Sequence, residues 1–502
     1  MVAVITKSNV LSMVKEDVEG TLKAEALNSD FIPLRSGYSM SGAINSVDSD
    51  EFIAGDIGAS KSFTTDEAPT ASIPLYLRGS GVEGQEPEIG KVFEGVLGSK
   101  TLNATEYDLI AGSTVSVLKV DTGEGNNFKK GQAVLVKDSV NGWSVRMIKA
   151  VNSDDLTLNF DLPAAPAVGV KLGKAINYAP GLNHPSYSVH RYQSADANSA
   201  FKDSMAGAKV NSLGLTFAAN GLGEGTAEMT GLGYYWNPIT IDNTNNKIDF
   251  NDGSVRVATL ANKVYKTPIA LAEEIALKMD AVATNTISCS YDNSNGKFTI
   301  SVNTGTLTLL CDSGANKLAD VFETIGFATT ADKSGATEYT SDAGISFIPS
   351  VVPAYDTSDS VVIKGAQFLI GDRTKIDCRK ASNVEFSIET TVNRVPSVCS
   401  DTGIDSTVAT ERAVTLSGTL ILSKFEAELM DKFFNNTTTQ LQFTAGPKTS
   451  AQWRAGETFS IAFGNASITA HTVAESDGYH VVNLEAKAFV NSDLSDCYIN
   501  FL

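Results

Sequence analysis

The chain has 502 residues, of which 42% are apolar and 19% are charged. Because one hydrophobic core rarely serves a chain of this length, we expect two to four domains. The formal net charge is −19, from 58 acidic and 39 basic residues. Such a surface repels phosphate at long range, which argues against a protein that binds nucleic acid or anionic membranes through its charge. Frequent glycine, serine, threonine, asparagine and valine favour short strands and turns over long helices.

The amino terminus does not resemble a secretion signal. Residues 1–20 mix charged side chains with scattered apolar ones, without a continuous apolar stretch. No later segment approaches the run of about 20 apolar residues that a membrane-spanning helix needs. We therefore expect synthesis in a cytoplasm and no membrane span. The five cysteines have no metal or redox spacing, so reduced thiols are expected, with a Cys289–Cys311 bridge left open.

The first hundred residues predict two strands, a long polar arm and a short helix. The alternating segment 32–44 and the segment 71–81 have the pattern of half-buried strands. The residues between them are polar, so the two strands predict an extended hairpin arm that needs a partner to stay ordered. Apolar residues at helical spacing in 88–97 predict a short packed helix.

A first inserted module is predicted in residues 101–179. Its short strands are separated by Gly, Asp and Asn turns, which is typical of a small β-barrel-like module. We place Trp143 in the core of this module, because a lone tryptophan in a small β-unit is more often a packing residue than a ligand-binding one.

A second inserted module, of α+β type, is predicted in residues 238–350. Thr267 and Pro268 form a helix start, with Thr267 as the cap. Asn295-Gly296 is a typical hairpin turn. Apolar spacing in residues 316–327 predicts a closing helix that ends near Gly326.

The last part of the chain repeats the element order of the first part. The elements are a strand at 382–392, a polar loop at 393–413 that parallels the first arm, a strand at 414–422 and a helix at 425–434. The sequence therefore predicts a mainly β fold with two tandem β-sandwich domains and short helices. The first domain is discontinuous, residues 1–100 and 180–237, and the second is residues 351–502.

No segment of the sequence carries the pattern of an active site. The glycine-rich residues 221–229 lack the Lys-Ser/Thr pair and the βαβ setting of a phosphate loop. Residues 242–253 and 292–297 lack the full ligand ladder of a calcium loop, and the four histidines have no metal spacing. The sequence therefore predicts no catalytic, cofactor or metal site, and a protein that is not an enzyme.

Several short motifs follow one another in the first half of the chain. They are KE…GT at residues 15–21, FIPLRSG at 31–37, DEFIAG at 50–55 with Lys61, LRGSGVEGQEP at 77–87 and GAKVNSL at 207–213. In this order they resemble the major tail tube proteins of long, flexible-tailed (siphovirus) bacteriophages, here with a duplicated tube domain. The positions that carry the resemblance are Phe31, Pro33, Leu34, Arg35, Gly37, Gly55, Arg78, Gly79, Gly81, Gly84, Pro87, Gly207, Val210, Asn211 and Leu213.

The resemblance implies a structural subunit of the virion tail. Tube domains of this family associate sideways into rings, and the rings stack around a lumen through which DNA passes without specific binding. Two tube domains in one chain imply a trimer with pseudo-six-fold symmetry, with a hexamer as the alternative. The implied partners are further copies of the chain, the tape measure protein and the tail tip and terminator proteins. The implied ring-stacking arms carry Asp48, Asp50, Glu51, Asp56, Lys61, Asp66, Glu67, Arg394, Asp401, Asp405, Glu411 and Arg412.

Two other functions stay open at this point. One is a different virion structural protein, such as a baseplate hub, a terminator or a decoration protein. The other is a carbohydrate-binding adhesin, for which Trp143 and Trp236 are the candidate stacking residues. The two inserted modules are not part of the common tube core, and we expect them to stabilise or decorate the assembly.

Overall fold

A computed structural model describes residues 9–48, 61–193, 200–356, 358–372, 375–378, 380–400, 402–422, 426–476 and 478–502. The protein is mainly β, with several sheets and three α-helices among these residues. This confirms the predicted fold class.

Up to Trp236, the elements are β1 Val10–Lys15, a 3-10 helix Asn28–Asp30, β2 Phe31–Ile32, β3 Ser39–Ser41, β4 Ile44–Asp48, β5 Ser62–Glu67, β6 Thr70–Tyr76, α1 Gly90–Leu97, β7 Gly98–Asn103, β8 Tyr107–Asp108, β9 Val117–Lys119, a 3-10 helix Glu124–Asn127, β10 Ala133–Lys137, β11 Ser144–Asn152, β12 Asp155–Leu158, β13 Lys171–Leu172, β14 Ala175–Pro180, β15 Tyr187–Tyr192, β16 Lys202–Ala218, β17 Gly223–Thr230 and β18 Gly233–Trp236.

After Trp236, the elements are β19 Ile239–Ile241, β20 Lys247–Asn251, β21 Val255–Thr259, β22 Lys263–Tyr265, α2 Pro268–Asp280, β23 Ile287–Asp292, β24 Lys297–Val302, β25 Leu307–Leu309, a 3-10 helix Lys317–Ala319, β26 Lys333–Ala336, β27 Glu338–Thr340, β28 Gln367–Asp372, β29 Lys375–Cys378, β30 Ala381–Pro396, β31 Ile404–Ile421, α3 Glu426–Phe434, β32 Thr439–Ala445, β33 Lys448–Thr449, β34 Gln452–Trp453, β35 Phe459–Ser476, β36 Tyr479–Ala488 and β37 Tyr498–Phe501.

The first of two compact units comprises Met1–Asp30, Ser188–Ala206 and Leu232–Pro353. Most of it is the α+β region, in which β20 pairs with β21 and β25, and β24 pairs with β23 and β27. The predicted start of its helix is confirmed, because the Thr267 hydroxyl accepts a hydrogen bond from the backbone N–H of Ala270 at 3.1 Å. The predicted hairpin turn is also present, with Gly296 at a φ of +72°.

The predicted closing helix in residues 316–327 is wrong. Only Lys317–Ala319 form a short 3-10 helix, and Leu318 is 97% exposed. Side chains compete with the helical hydrogen bonds here: Asp320 accepts from the backbone N–H of Phe322, and Asp249 accepts from that of Asn316. The apolar residues after Asp320 pack as turns rather than as one helical face.

The second unit comprises Phe31–Tyr187, Gly207–Gly231 and Ala354–Leu502. Its main sheet has eight antiparallel strands in the order β3, β6, β17, β16, β30, β31, β36 and β35. A second sheet has the order β7, β14, β37, β35, β32, β28 and β29. The long strand β35 belongs to both sheets, since its first part pairs with β32 and its last part with β36.

Aromatic side chains fill the space between these two sheets. The helix α1 occupies the predicted place and contributes Phe93, whose ring lies 5.6 Å from that of Tyr178 and 5.5 Å from that of Phe501. The helix ends at Gly98, which adopts a φ of +94°, a conformation that glycine reaches without strain.

Residues 101–179 contribute a six-stranded sheet in the order β8, β13, β10, β11, β12 and β9. Its own core contains Leu118, Val134 and Leu156. The predicted place of Trp143 in that core is wrong. Trp143 is only partly buried, and it packs against a separate cluster that includes Trp453.

Candidate assembly surfaces

The main sheet of the second unit consists of two four-stranded halves with one pairing pattern. Strands β3, β6, β17 and β16 form the first half, and β30, β31, β36 and β35 form the second. The central ladders β6–β17 and β31–β36 each contain seven residue pairs, which end at Tyr76–Glu224 and at Ile421–Val481. The two halves therefore match strand for strand.

Irregularities of the ladders also fall at equivalent places. The strands β4 and β5 continue the hairpin of β3 and β6, as the outer parts of β30 and β31 continue their own hairpin. Bulges are discrete, structurally specified features, so coincident bulges support a duplicated unit. The register shifts lie at Asn45/Ser46 in β4–β5 and Thr391/Val392 in β30–β31, and at Val210/Ser212 in β16–β17 and Ile468/Ala470 in β35–β36.

The two halves join edge to edge through β16 and β30. This junction runs for seven residue pairs, from Ser212–Glu389 to Ala218–Asn383. On its buried side, the ring of Phe217 lies 5.9 Å from that of Phe386 and 4.5 Å from that of Phe443. The β16 edge of the first half is thus covered by β30 of the second half, which has the same strand order as the first half.

The outer edges of this sheet have no partner strand among the described residues. At one end β3 pairs only with β6, and at the other end residues 467–476 of β35 pair only with β36. The free edge of β3 is three residues long and that of β35 ten residues. Free edges expose unpaired backbone N–H and C=O groups, which makes them templates for a further strand. Val473 on β35 is 52% exposed, whereas its equivalent in the internal junction, Leu215, is 1% exposed.

The solvent-facing side of the sheet is acidic. Directly opposed residues in neighbouring strands share a face, so the register defines rows of side chains across the sheet. One row contains Glu224, Thr216, Glu385, Ser417 and Glu485. The adjacent row has no glutamate and contains Thr226, Gly214, Ser387, Thr415 and Lys487, and the row beyond it contains Ser72, Glu228, Ser212, Glu389 and Ala413. Glutamates alternate with small side chains in the first and the third of these rows.

Each half carries one hairpin arm, as predicted for the first half. The second arm differs from the prediction of a polar loop. Its strands β30 and β31 continue, paired, as far as Pro396 and Ile404. Polar residues form these strands because each arm closes its own ladder of backbone hydrogen bonds and needs no apolar core. The first arm exposes Val47 and Phe63, a directly opposed pair that is 60% and 52% exposed.

The predicted arm residues separate into three groups. Asp48, Lys61 and Asp405 are exposed along the hairpins, and so is Glu411 at the base of the second arm. Arg412 instead forms a two-fold hydrogen bond with Asp496, with both N–O distances at 3.0 Å. Asp66, Glu67 and Arg394 come together where the second arm meets the first. Asp50, Glu51, Asp56, Gly55 and Asp401 lie outside the described residues.

The second arm is seated on the base of the first arm. The Arg394 guanidinium contacts Asp66 at 3.1 Å and donates to the backbone carbonyl of Gly231 at 2.7 Å. The backbone N–H of Glu67 donates to the carbonyl of Thr402 at 3.3 Å. Lys209 donates to the carbonyl of Thr407 at 2.7 Å. The sequence pattern did not indicate this contact, because its partners lie far apart in the chain.

Replacing Arg394 with methionine should loosen the second arm. The methionine keeps much of the apolar stem but removes the two contacts to Asp66 and Gly231. We expect a loss of about 1–3 kcal/mol in the free energy of unfolding, since a half-buried charge and a carbonyl lose their partner. Limited proteolysis within residues 392–408 should also become faster. Asp405→Asn, at an exposed position of the same arm, serves as the control. Equal stability and proteolysis in both variants would contradict this contact's role.

The motif residues of the first half are mostly structural. Phe31, Val210 and Leu213 are fully buried, and Pro87, Gly207 and Gly79 are also buried. A Cβ atom at Gly79 would lie 2.1 Å from the carbonyl oxygen of Gly456, so only glycine fits there. The left-handed φ values at Gly37, Gly81, Gly84 and Gly207 lie between +65° and +97°. Asn211 is half-buried in the bulge of β16.

The remaining motif residues line a small cavity of about 110 Å³. Its lining includes Pro33, Leu34, Arg35, Arg78 and Glu88. Arg35 pairs with Glu224 at 2.8 Å, and its guanidinium lies 4.6 Å from the ring centre of Tyr76. Arg78 donates to the backbone carbonyl of Asp356 at 3.0 Å.

Two carboxyl groups face one another at this cavity. The backbone N–H of Glu88 donates to Asp356 at 3.2 Å, and the N–H of Asp356 donates to the Glu88 side chain. Burial, together with the Asp356 charge, raises the pKa of Glu88 to about 7 against the opposing effect of the Asp356 N–H and Arg78. Burial also raises the pKa of Asp356. Glu88 therefore takes up its proton near neutral pH.

Stability of the second unit should consequently increase as the pH falls from 8 towards 5. A carboxyl group whose pKa is raised by folding binds its proton more tightly in the folded state, so protonation through pH 7 favours that state. Glu88→Gln should remove this dependence and be more stable than the wild type at pH 8 by about 1–3 kcal/mol. Thermal melting at several pH values checks this, with exposed Glu411→Gln as the control. Parallel curves for all three proteins would contradict it.

The described part of the chain contains no group of three or more His, Cys, Asp or Glu side chains that could hold a metal ion. None of its helices has the length and apolar composition that a membrane span requires. The cysteines at 289, 311, 399 and 497 are free thiols. No protein-family profile matches the sequence, and a comparison with curated proteins finds no significant match.

Proposed function

We propose that this protein is the structural subunit of a phage tail tube. In this proposal the chains join edge to edge into rings, the rings stack, and the genome passes through the lumen without specific binding. The internal junction between β16 and β30 carries the proposal. It joins two equivalent halves edge to edge. The sheet then ends in β3, the equivalent of β30, at one side and in β35, the equivalent of β16, at the other, and both of these edges are open.

The unlike edges imply a head-to-tail contact. A contact between two different surfaces forms a ring if the rotation closes, and otherwise a filament. With two halves in each chain, a six-part ring needs three chains. The proposed location is the virion tail, assembled in the host cytoplasm together with the tape measure, tail tip and terminator proteins.

The acidic face suits the lining of such a tube. Duplex DNA carries one negative charge for about every 1.7 Å of its length, so a basic lining would hold it by phosphate contacts. Glu385, Glu389 and Glu485 are exposed on the face described above, and Lys487 is the one exposed cation among the described residues of β36. A duplex that slides along this face meets carboxylates and small hydroxyl groups, which repel or release it.

The carbohydrate-binding alternative has less support. Of its two candidate residues, Trp236 is 40% exposed, with its ring centre 5.4 Å from that of Phe201, and Trp143 lines an open cleft together with Trp453. However, Trp453 is 4% exposed, and the ammonium group of Lys448 lies 3.8 Å from its ring centre. Lys137 lies 5.7 Å from the ring centre of Trp143. Lysines thus occupy ring faces that a sugar would need for stacking.

Negative-stain electron microscopy of the concentrated purified protein tests the proposal. Hollow filaments or rings with a regular repeat are the expected result. Particles that stay monomeric at all concentrations and salt conditions, also when mixed with the tape measure and tail tip proteins, would contradict it. A decoration protein would give isolated particles that bind only to preformed virions.

A further inference from the structure

We infer that the contact between neighbouring chains repeats the register of the internal junction along β3. The last part of β35 in one chain pairs antiparallel with β3 and its flanking residues in the next chain. This inference rests on the proposed self-assembly and specifies its contact. The two partner surfaces are the open edges of the main sheet, and the partner is a second copy of this chain.

The register follows from the equivalence of the two halves. Gly214 and Ser387 oppose one another in the internal junction, and Leu215 opposes Phe386 in the next pair. When the two halves are matched by their bulges and ladders, Thr472 of the second half is the equivalent of Gly214 in the first. Likewise, Ser41 of the first half is the equivalent of Ser387 in the second. Thr472 of one chain therefore opposes Ser41 of the next. In the same register the pairs Val473–Met40 and Ala474–Ser39 follow.

The chemistry of the open edges fits this register. Leu215 and Phe386 are buried at 1% and 3% exposure in the internal junction. Their equivalents, Val473 and Met40, are apolar too, and Val473 is half exposed in the single chain. Ser41 and Thr472 are exposed, small and polar, so they can meet on the solvent-facing side without a steric or charge conflict. In this contact β35 and β3 run antiparallel, as β16 and β30 do inside the chain.

A cleft at the equivalent place of the second half has room for the arm of the next chain. Inside the chain, the second arm rests on Thr65, Asp66 and Glu67 at the base of the first arm. The equivalent residues of the second half are Thr410, Glu411 and Arg412, and they line an open cleft of about 320 Å³. We assign this cleft to the β4–β5 hairpin of the neighbouring chain. In that hairpin Asp48 takes the position of Arg394, and Glu411 takes that of Asp66, so the contact between chains lacks the ion pair of the internal seat and brings two carboxylates together instead.

Paired cysteines test the register directly. In a Cys399→Ser background, which removes an exposed natural thiol, Ser41→Cys and Thr472→Cys are combined in one chain. Directly opposed residues have Cβ atoms about 4.5–5.5 Å apart, close to what a disulfide needs. Mild oxidation of the assembled protein should therefore give covalently linked oligomers on a non-reducing gel. Gly214→Cys with Ser387→Cys serves as the internal positive control, because it should form the same bond within one chain.

A shifted pair supplies the matched negative control. Ser39→Cys with Thr472→Cys keeps the same face but moves the partner by two residues, to a diagonal distance of about 7–8 Å. We expect at least tenfold less linkage for this pair. Rings or filaments that form without preferential linkage of the Ser41→Cys, Thr472→Cys protein would overturn the register while leaving tube assembly intact. A protein that neither assembles nor links at any concentration would overturn both.

Discussion

Replacing Phe217 with alanine should lower the free energy of unfolding of the second unit by about 3–5 kcal/mol. Phe217 is 1% exposed, and its ring packs against those of Phe386, Phe443 and Phe459 at 5.9, 4.5 and 5.6 Å. The substitution removes a buried aromatic side chain at the seam between the two halves, and the three rings around it cannot collapse into the cavity without moving their strands. This is the largest stability change that we expect from a single substitution in this protein.

Urea unfolding followed by tryptophan fluorescence measures this change. The chain has three tryptophans, and Trp143 and Trp453 belong to the second unit. A Trp236→Phe background therefore restricts the signal to that unit. The control is Phe63→Ala, the same change at a position that is 52% exposed on the first arm, where we expect less than about 0.5 kcal/mol. If both variants unfold at the wild-type urea concentration, the seam does not contribute to stability as described.

Replacing Val473 with lysine should abolish self-assembly and leave the single chain folded. Val473 lies on the open edge of β35 and is 52% exposed, so a lysine there can reach water in the isolated chain. In the assembled state the same position is buried against the next chain, in the way that Leu215 is buried inside the chain. An uncompensated charge at such a position costs several kcal/mol per contact, and inward-pointing charges are a known means of blocking sheet edges.

Light scattering during concentration measures this second effect. We expect filament or ring formation to fall by at least two orders of magnitude, with a thermal melting temperature close to that of the wild type. Val140→Lys provides the matched control, since Val140 is 86% exposed in a turn away from both edges. Wild-type assembly by the Val473→Lys protein would show that this edge is not used.

The sequence predicted those parts of the fold that depend on local patterns. The alternation in residues 71–81 predicted a half-buried strand, and β6 covers the first part of that segment. The short helix near Phe93 and the cap at Thr267 were equally readable, because helical spacing and capping are local properties. The closing helix at residues 316–327 failed because Asp249 and Asp320 bind backbone N–H groups there, which hydropathy alone does not register.

The candidate surfaces depend on contacts between distant parts of the chain. The pairing of β16 with β30 joins residues that are separated by an entire inserted module, and no pattern within either strand indicates its partner. The ion pairs Arg394–Asp66 and Arg412–Asp496 likewise could not be predicted from the sequence, because their partners are far apart in the chain. The repeated order of elements was visible in the sequence, whereas the matching bulges required coordinates.

The mass of the rings tests the central claim most directly. If one chain supplies two equivalent halves of the ring, then rings isolated before stacking should contain three chains, and mass photometry should give three times the 53.0 kDa of the chain. A dominant species of six chains would contradict the account, because the two halves of one chain would then not occupy equivalent places in a six-part ring.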